Sequence, residues 1–369
     1  MKKLLSILLA VMMIFALCAC STSPSNSADV ESSEPSSDAT GEDASSDNSF
    51  EGETLVVGVW GGTIEQVLRD HVVTPMEEEL GCSIELVLGG TGDRVAKLYT
   101  EKDNPSMDVF GLNVKEAMQA IENGVAAEVN PNIENFDQLY DFAQEGGYGQ
   151  SLMALGICYN NEVVTEPITD WKDLWRPELK GKVSLSTFPG SETSGILTIT
   201  AKVWGLDLAN DPEAVFKKVG ELGPFPLFFT NLDELFLEMK SGNILASVIF
   251  NSYANDYIDQ GFPCEFVYPN DPGALLAKDT WVIAKNSKHI ELAEEFISRC
   301  ISVEVQKAYA EEIYFSPCNK EVEITDEALK SKLVYGEDAA KLEDTDWDTI
   351  TANEEAFTEM WNRLVIAAE

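Results

Sequence analysis

Between Thr54 and Gly124 the chain three times follows a short apolar run with a stretch of helical spacing. "TLVVGVW" leads into "IEQVLRDHVVTPMEEEL", "SIELVLGG" into "DRVAKLYTEK", and "MDVFGLN" into "KEAMQAIENG". A helix between two strands lets them lie parallel, with helices over the faces of the sheet. In such sheets a ligand sits beyond the carboxyl ends of the strands. That rule singles out Trp60–Gly61, Gly90–Thr91 and Leu112–Asn113. A second α/β unit begins with the long extended run "GQSLMALGICYN". It holds the strand-like "KVSLSTF", "LASVIFN", "CEFVYP" and "DTWVIAK", and the helical "SGILTITAKVWG" and "LDELFLEMKSG". The last third is mostly helical, with "ELAEEFISRCISVEVQKAYAEE" and "NEEAFTEMWNRLVIAA". Two such units joined by extended segments suggest two lobes with a cleft between them.

The chain opens differently. Lys2 and Lys3 precede the apolar "LLSILLAVMMIFAL", which is short for a membrane span and suits a secretory signal. The "LCAC" that follows resembles the lipobox of bacterial lipoproteins. The resemblance implies that residues 1–19 are a signal peptide and that Cys20 is acylated, anchoring the chain to the outer face of the cell membrane or its periplasmic side. Residues 20–53 are then the lipidated cysteine and a Ser-rich, acidic tether with little to bury.

Charge excludes one class of partner. The chain has 25 basic and 64 acidic side chains, a formal −39. Setting aside Lys2, Lys3 and the nine acids of the tether leaves 23 against 55, near −32 for the folded part. Nucleic acid is repelled by such a field, whereas a cation is attracted. Solubility alone is a sufficient use for the same charge. Only His71 and His289 are present, both on helical stretches, so a Ser-His or Cys-His couple is not expected. No His/Cys/Asp spacing suits zinc, and no cofactor motif stands out: "GGTGDR" lacks the third glycine of the dinucleotide fingerprint. We therefore expect neither enzyme, cofactor nor metal site. Cys82, Cys158, Cys264, Cys300 and Cys318 are widely spaced, without a CxxC pair.

Several loop residues have chemistry suited to a small solute. An aromatic lip at Trp60 covers alkyl chain and attracts ammonium through its ring quadrupole, and plugging a core is its competing use. Gly61 lets backbone approach a ligand. Thr91 stands at a helix N-terminus with loop amides beside it. In "STFPGSETSG", Thr193 and Ser194 can donate to an anionic group and Glu192 can accept from an amine, while helix capping is an equal claim on them. Tyr253 and Tyr257 lie four apart on a helix and read as packing.

Three stretches resemble the extracellular solute-binding proteins of ABC importers, in the branch similar to spermidine/putrescine-binding proteins. They are "VVGVWGGTIEQVLRDHVVTPMEEELGCSIELVLGGTGDRVAKLYTEKDNPSMDVFGLN", "GICYNNEVVTEPITDWKDLWRPELKGKVSLS" and "VYPNDPGALLAKDTWVIAKNSKHIELAEEFISRCISVEVQKAYAEE". The resemblance implies a two-lobed α/β fold of the type II periplasmic-binding-protein kind, its ligand cleft between lobes joined by hinge strands. Lobe 1 would hold 54–152 plus 276–313, and lobe 2 would hold 153–275 plus 314–369. It also implies ligand contacts at Trp60, at Phe250 and Asn251 in place of a Trp-Asn pair, and at Asp279, where relatives hold an amine. Asn113 closes the third strand and joins this set. The implied partners are a small, cationic solute, a polyamine above all, together with ABC permease subunits and the membrane through its lipid anchor. Alternatives are another solute (an amino-acid derivative, a thiamine-like cation, a phosphonate or ferric iron) or a lipoprotein that docks a partner protein. The chain departs from polyamine-binding relatives in two places. No aromatic follows Trp60, and the paired acids after the second-lobe strand are replaced by Thr187 and Phe188, leaving Glu192 nearby.

Overall fold

The protein was analysed as a computed structural model, which describes residues 50–336, 338–339 and 342–367. The expected signal peptide, Cys20 and the tether up to residue 49 lie outside the described residues. Ten strands form one sheet: β1 Thr54–Val59, β2 Ser83–Leu88, β3 Val109–Asn113, β4 Tyr148–Asn160, β5 Val183–Ser186, β6 Phe228–Phe229, β7 Ala246–Phe250, β8 Cys264–Val267, β9 Leu275–Ile283 and β10 Glu343–Asp344. Their order is β2-β1-β3-β9-β4-β7-β5-β6, with β8 added to β4 and β10 to β9.

The parallel pairing expected from the βαβ alternation is found at each end of this sheet, in β2-β1-β3 and in β7-β5-β6. It fails in the middle. There β3 pairs antiparallel with β9, β9 with β4, and β4 with β7. The two α/β units are thus joined by strands running against them, a feature that local alternation cannot reveal. All 13 residues of β4 are buried, which explains its continuous apolar reading. Strand β4 pairs with β9 over Tyr148–Leu155 and with β7 over Leu155–Tyr159, changing partner at Leu155.

Two long helical readings are broken for identifiable reasons. Pro75 has no N–H to give to the preceding turn, and the first helix passes through a π-type stretch, Arg69–Val73, between Thr63–Leu68 and Thr74–Leu80. In the late run, Ser302 accepts a hydrogen bond from the Val305 amide at 3.3 Å and starts a new helix. The chain therefore turns between Ile290–Cys300 and Val303–Ile313. Asp170 and Asp173 form a capping box on the short turn Trp171–Trp175. Both indoles there donate to backbone carbonyls, Trp171 to Gly273 and Trp175 to Lys218.

Where β4, β7 and β8 meet, the sheet has no room for a side chain at Gly156. A Cβ there would run into the Val267 carbonyl oxygen and, at 2.6 Å, into the Phe266 ring. Gly156→Ala is expected to destabilise the protein by about 1–3 kcal/mol in urea unfolding. Gly89→Ala, where a Cβ meets nothing within 4 Å, should stay within about 0.5 kcal/mol of the parent.

Candidate ligand-binding site

The carboxyl ends of β1, β2 and β3 open onto a cavity of about 290 Å³, which the other half of the sheet closes from the far side. Trp60 follows β1 directly, and Gly62, at φ 85°, takes the left-handed turn that starts the helix from Thr63. The ring of Trp60 is held from behind: the Arg94 guanidinium lies 4.1 Å from its centroid. Gly111 on β3 leaves space at its edge, since a Cβ there would stand 3.0 Å from both the Trp60 and the Trp281 rings.

Asp279 is brought to the cavity by register. It sits opposite Asn113 of β3 and opposite Ser151 of β4, where pairing resumes after an irregularity between Gly149 and Ser151. It is 7% exposed and forms no ion pair among the described residues. Burial pushes its carboxyl up to about 7. The Arg94 charge pulls it down, Glu116 pushes it further up, and the Ser151 hydroxyl favours the ionised form.

The second carboxylate comes from the other half. Glu192 lies in the first turn of the helix Ser191–Trp204 and lines the same cavity. The Ser186 hydroxyl donates to its Oε2 at 3.4 Å, while burial raises its pKa. Tyr253, on the helix Asn251–Asp259 that follows β7, lines the same cavity. Its phenol is raised first by burial and then by the charges of Asp279 and Glu192, so its hydroxyl lies within electrostatic reach of both. Phe250, edge-on to Tyr253 with centroids 6.0 Å apart, supplies apolar wall together with Leu155, Leu275 and Phe315. Thr345 and Trp347 reach the cavity from the C-terminal segment, which is laid there by the pairing of β10 with Leu275 and Leu276. Lys115 lies 5.3 Å from the Trp347 ring centroid.

Of the residues singled out from sequence, Trp60, Gly61, Thr91, Asn113, Glu192, Phe250 and Asp279 line the cavity. Thr193, Ser194 and Asn251 do not. The Thr193 hydroxyl donates to the Thr187 and Gly190 carbonyls and caps nothing, since the N-cap position is Gly190 and no side chain caps this helix. Ser194 is buried away from the cavity. Asn251 accepts from the Ala154 amide at 2.8 Å and donates to the Lys332 carbonyl at 2.8 Å, tying β4 to the returning chain. Tyr253 was expected to pack, and it faces the cavity; Tyr257 is the packing residue, stacked on Phe236 at 3.9 Å. Arg94, Lys115 and Trp347 were not anticipated.

The model of the bacterial extracellular solute-binding protein family matches residues 71–336. The chain belongs to this family. The solute-binding protein is 26% identical over 289 residues to the spermidine/putrescine-binding periplasmic protein of Escherichia coli K12, covering 73% of this chain and 80% of that one. It is 22% identical over 281 residues to the gamma-aminobutyric acid-binding protein of Pseudomonas aeruginosa PAO1, covering 73% and 78%. The crystal structure of an ABC transporter from Clostridium perfringens superposes with a TM-score of 0.71 at 29% identity, over 84% of this chain and 99% of that chain. That of the periplasmic binding protein AfuA from Actinobacillus pleuropneumoniae, with fructose-6-phosphate bound, superposes with a TM-score of 0.66 at 21% identity, over 86% and 100%. The fold is the two-lobed α/β fold of the type II periplasmic binding proteins. Members of the family bind a small solute for an ABC importer and deliver it to permease subunits; the family is not an enzyme class. Among the described residues no helix is long and apolar enough to cross a membrane.

The raised Asp279 carboxyl has a consequence for ligand-free stability. Between pH 3.8 and about 7 the folded chain holds a proton that the unfolded chain has released. The stability Asp279 contributes is therefore complete below pH 3.8 and is lost as pH rises through about 7. Asp279→Asn should be more stable than the parent at pH 8, by roughly 2–4 kcal/mol in urea unfolding, with the two converging toward pH 4.

Proposed function

We propose that this protein captures a small amine-bearing solute outside the membrane, a polyamine such as putrescine or spermidine first among candidates, and passes it to its permease. The observation that carries this reading is Asp279: a buried carboxylate with no ion-pair partner among the described residues, at the wall of a cavity framed by aromatic rings. An ammonium there forms a charge-assisted hydrogen bond, and Trp60 and Phe250 cover the adjoining methylenes. Glu192, on the opposite wall, supplies the acceptor for a second amine. The likeness to the E. coli spermidine/putrescine-binding protein supports the same reading. Closure would bend β4 and β9 and bring together the lobes 54–152 with 276–313 and 153–275 with 314–369. An acyl group on Cys20 would keep the receptor near its permease. A second reading, an amino-acid derivative with both charges, is favoured by Lys115 and Lys278 in the same lining.

Thermal unfolding at pH 8 against putrescine, spermidine, thiamine and a panel of amino acids decides between them. A saturable rise in midpoint with a polyamine is expected, because a ligand bound to the folded state stabilises it. Asp279→Asn should weaken that binding roughly 100-fold or more. Polyamine affinity in the parent should fall as pH drops below about 7, where Asp279 takes up its proton. A rise confined to amino acids, reduced by Lys115→Met, would establish the second reading. No response to any amine would sink both.

A further inference from the structure

Arg94 is the only buried arginine among the described residues, 2% exposed, and no carboxylate forms an ion pair with it. A buried guanidinium spent on backbone calls for an explanation, since charge is costly to bury without strong partners. Its partners lie in the middle of β3 and just past the ends of β2 and β1. Nε donates to the Gly111 carbonyl of β3 at 2.8 Å, and Nη1 to the Gly89 carbonyl just past β2 at 2.5 Å. Nη2 reaches the Thr91 hydroxyl at 3.4 Å, and the guanidinium covers the Trp60 ring just past β1. Its stem fills the place of a side chain on Gly58, where a Cβ would stand 2.9 Å from Arg94 Cδ.

We propose that Arg94 is a positioning residue for ligand binding, which ties β3 to the residues just past β1 and β2 and so fixes the Trp60 ring at the wall of the cavity. This rests on the ammonium-binding role proposed above for Asp279. The groups that interact with Asp279 come from several elements. Arg94 favours its ionised form, and so does the Ser151 hydroxyl of β4. Glu116, on the helix Val114–Glu122, opposes ionisation, and its buried Oε2 has no partner. Tyr253 and the Cys318 thiol feel the Asp279 charge from the other side, Cys318 together with Lys278. Of these groups, Arg94 is the one that also holds Trp60, its guanidinium 4.1 Å from the ring centroid.

The test is a carboxyl-carbon NMR titration of Asp279 in ligand-free protein, assigned with Asp279→Asn, for the parent, Arg94→Met, Arg94→Lys and Glu116→Gln. Trp60 emission, isolated by difference from Trp60→Phe, is followed in the same variants. The Asp279 midpoint should move up in Arg94→Met and down in Glu116→Gln. Trp60 emission should shift to the red in both arginine variants, since a lysine cannot make all of these contacts, and stay at the parent value in Glu116→Gln. That emission pattern would carry the proposal. Unmoved Trp60 emission in Arg94→Lys overturns it even if Arg94→Met does not fold. Putrescine titrations at pH 6 and pH 8 run alongside: Glu116→Gln should lose less affinity than the parent on going to pH 6. If putrescine fails to bind the parent while Trp60 emission shifts as stated, the ammonium reading falls and the role of Arg94 stands.

Discussion

Strands β4 and β9 pair antiparallel over Tyr148–Leu155 and Leu275–Trp281, and each continues past that pairing into a different half of the sheet. Without this pair the structure would be two separate parallel sheets, each with an unpaired edge and half a binding surface. With it, one sheet is continuous, and hydrogen-bond register decides which side chains meet. Asp279 lies on β9 where β3 and β4 flank it on both sides, so its position relative to Asn113 and Ser151 is fixed by backbone rather than by a flexible loop.

The surroundings of Asp279 fit a group meant to be paired from outside. The folded part is strongly acidic, and most of that charge is on solvated surface, where it is screened. Inside the cavity the same sign of charge acts at low dielectric, so the Asp279 and Glu192 charges raise the cost of ionising Tyr253, and Glu116 raises that of Asp279. On the proposed reading, an entering ammonium would relieve this crowding of negative charge around Asp279. The apolar walls set the reach and girth of the remainder.

Much of this could be read from the sequence because it is local. Trp60, Thr91 and Asn113 follow from strand ends alone, and Phe250 and Asp279 from the likeness to relatives. What escaped is non-local. Arg94 belongs to a helix face that a charged residue usually turns toward water, and its burial becomes evident only when Gly58 and Gly111 are seen to leave it room. Tyr253 shares a helical face with Tyr257, and spacing cannot tell which of two tyrosines packs and which looks into a cleft. The antiparallel centre of the sheet was hidden for the same reason, since apolar runs carry no sign of direction. Thr193 and Ser194 show the reverse error: the Thr193 hydroxyl serves backbone carbonyls, and Ser194 is buried away from the cavity.

The walls of the cavity are drawn from the whole length of the folded chain, from Trp60 to Trp347. Trp347 and Thr345 reach it only because β10, far along the chain, adds itself to the start of β9. A nascent polypeptide holding everything up to β9 therefore has the acid but lacks one wall. A complete pocket therefore forms only once the segment carrying β10 and Trp347 is in place, so a chain without it holds the buried acid in a site still open on one side.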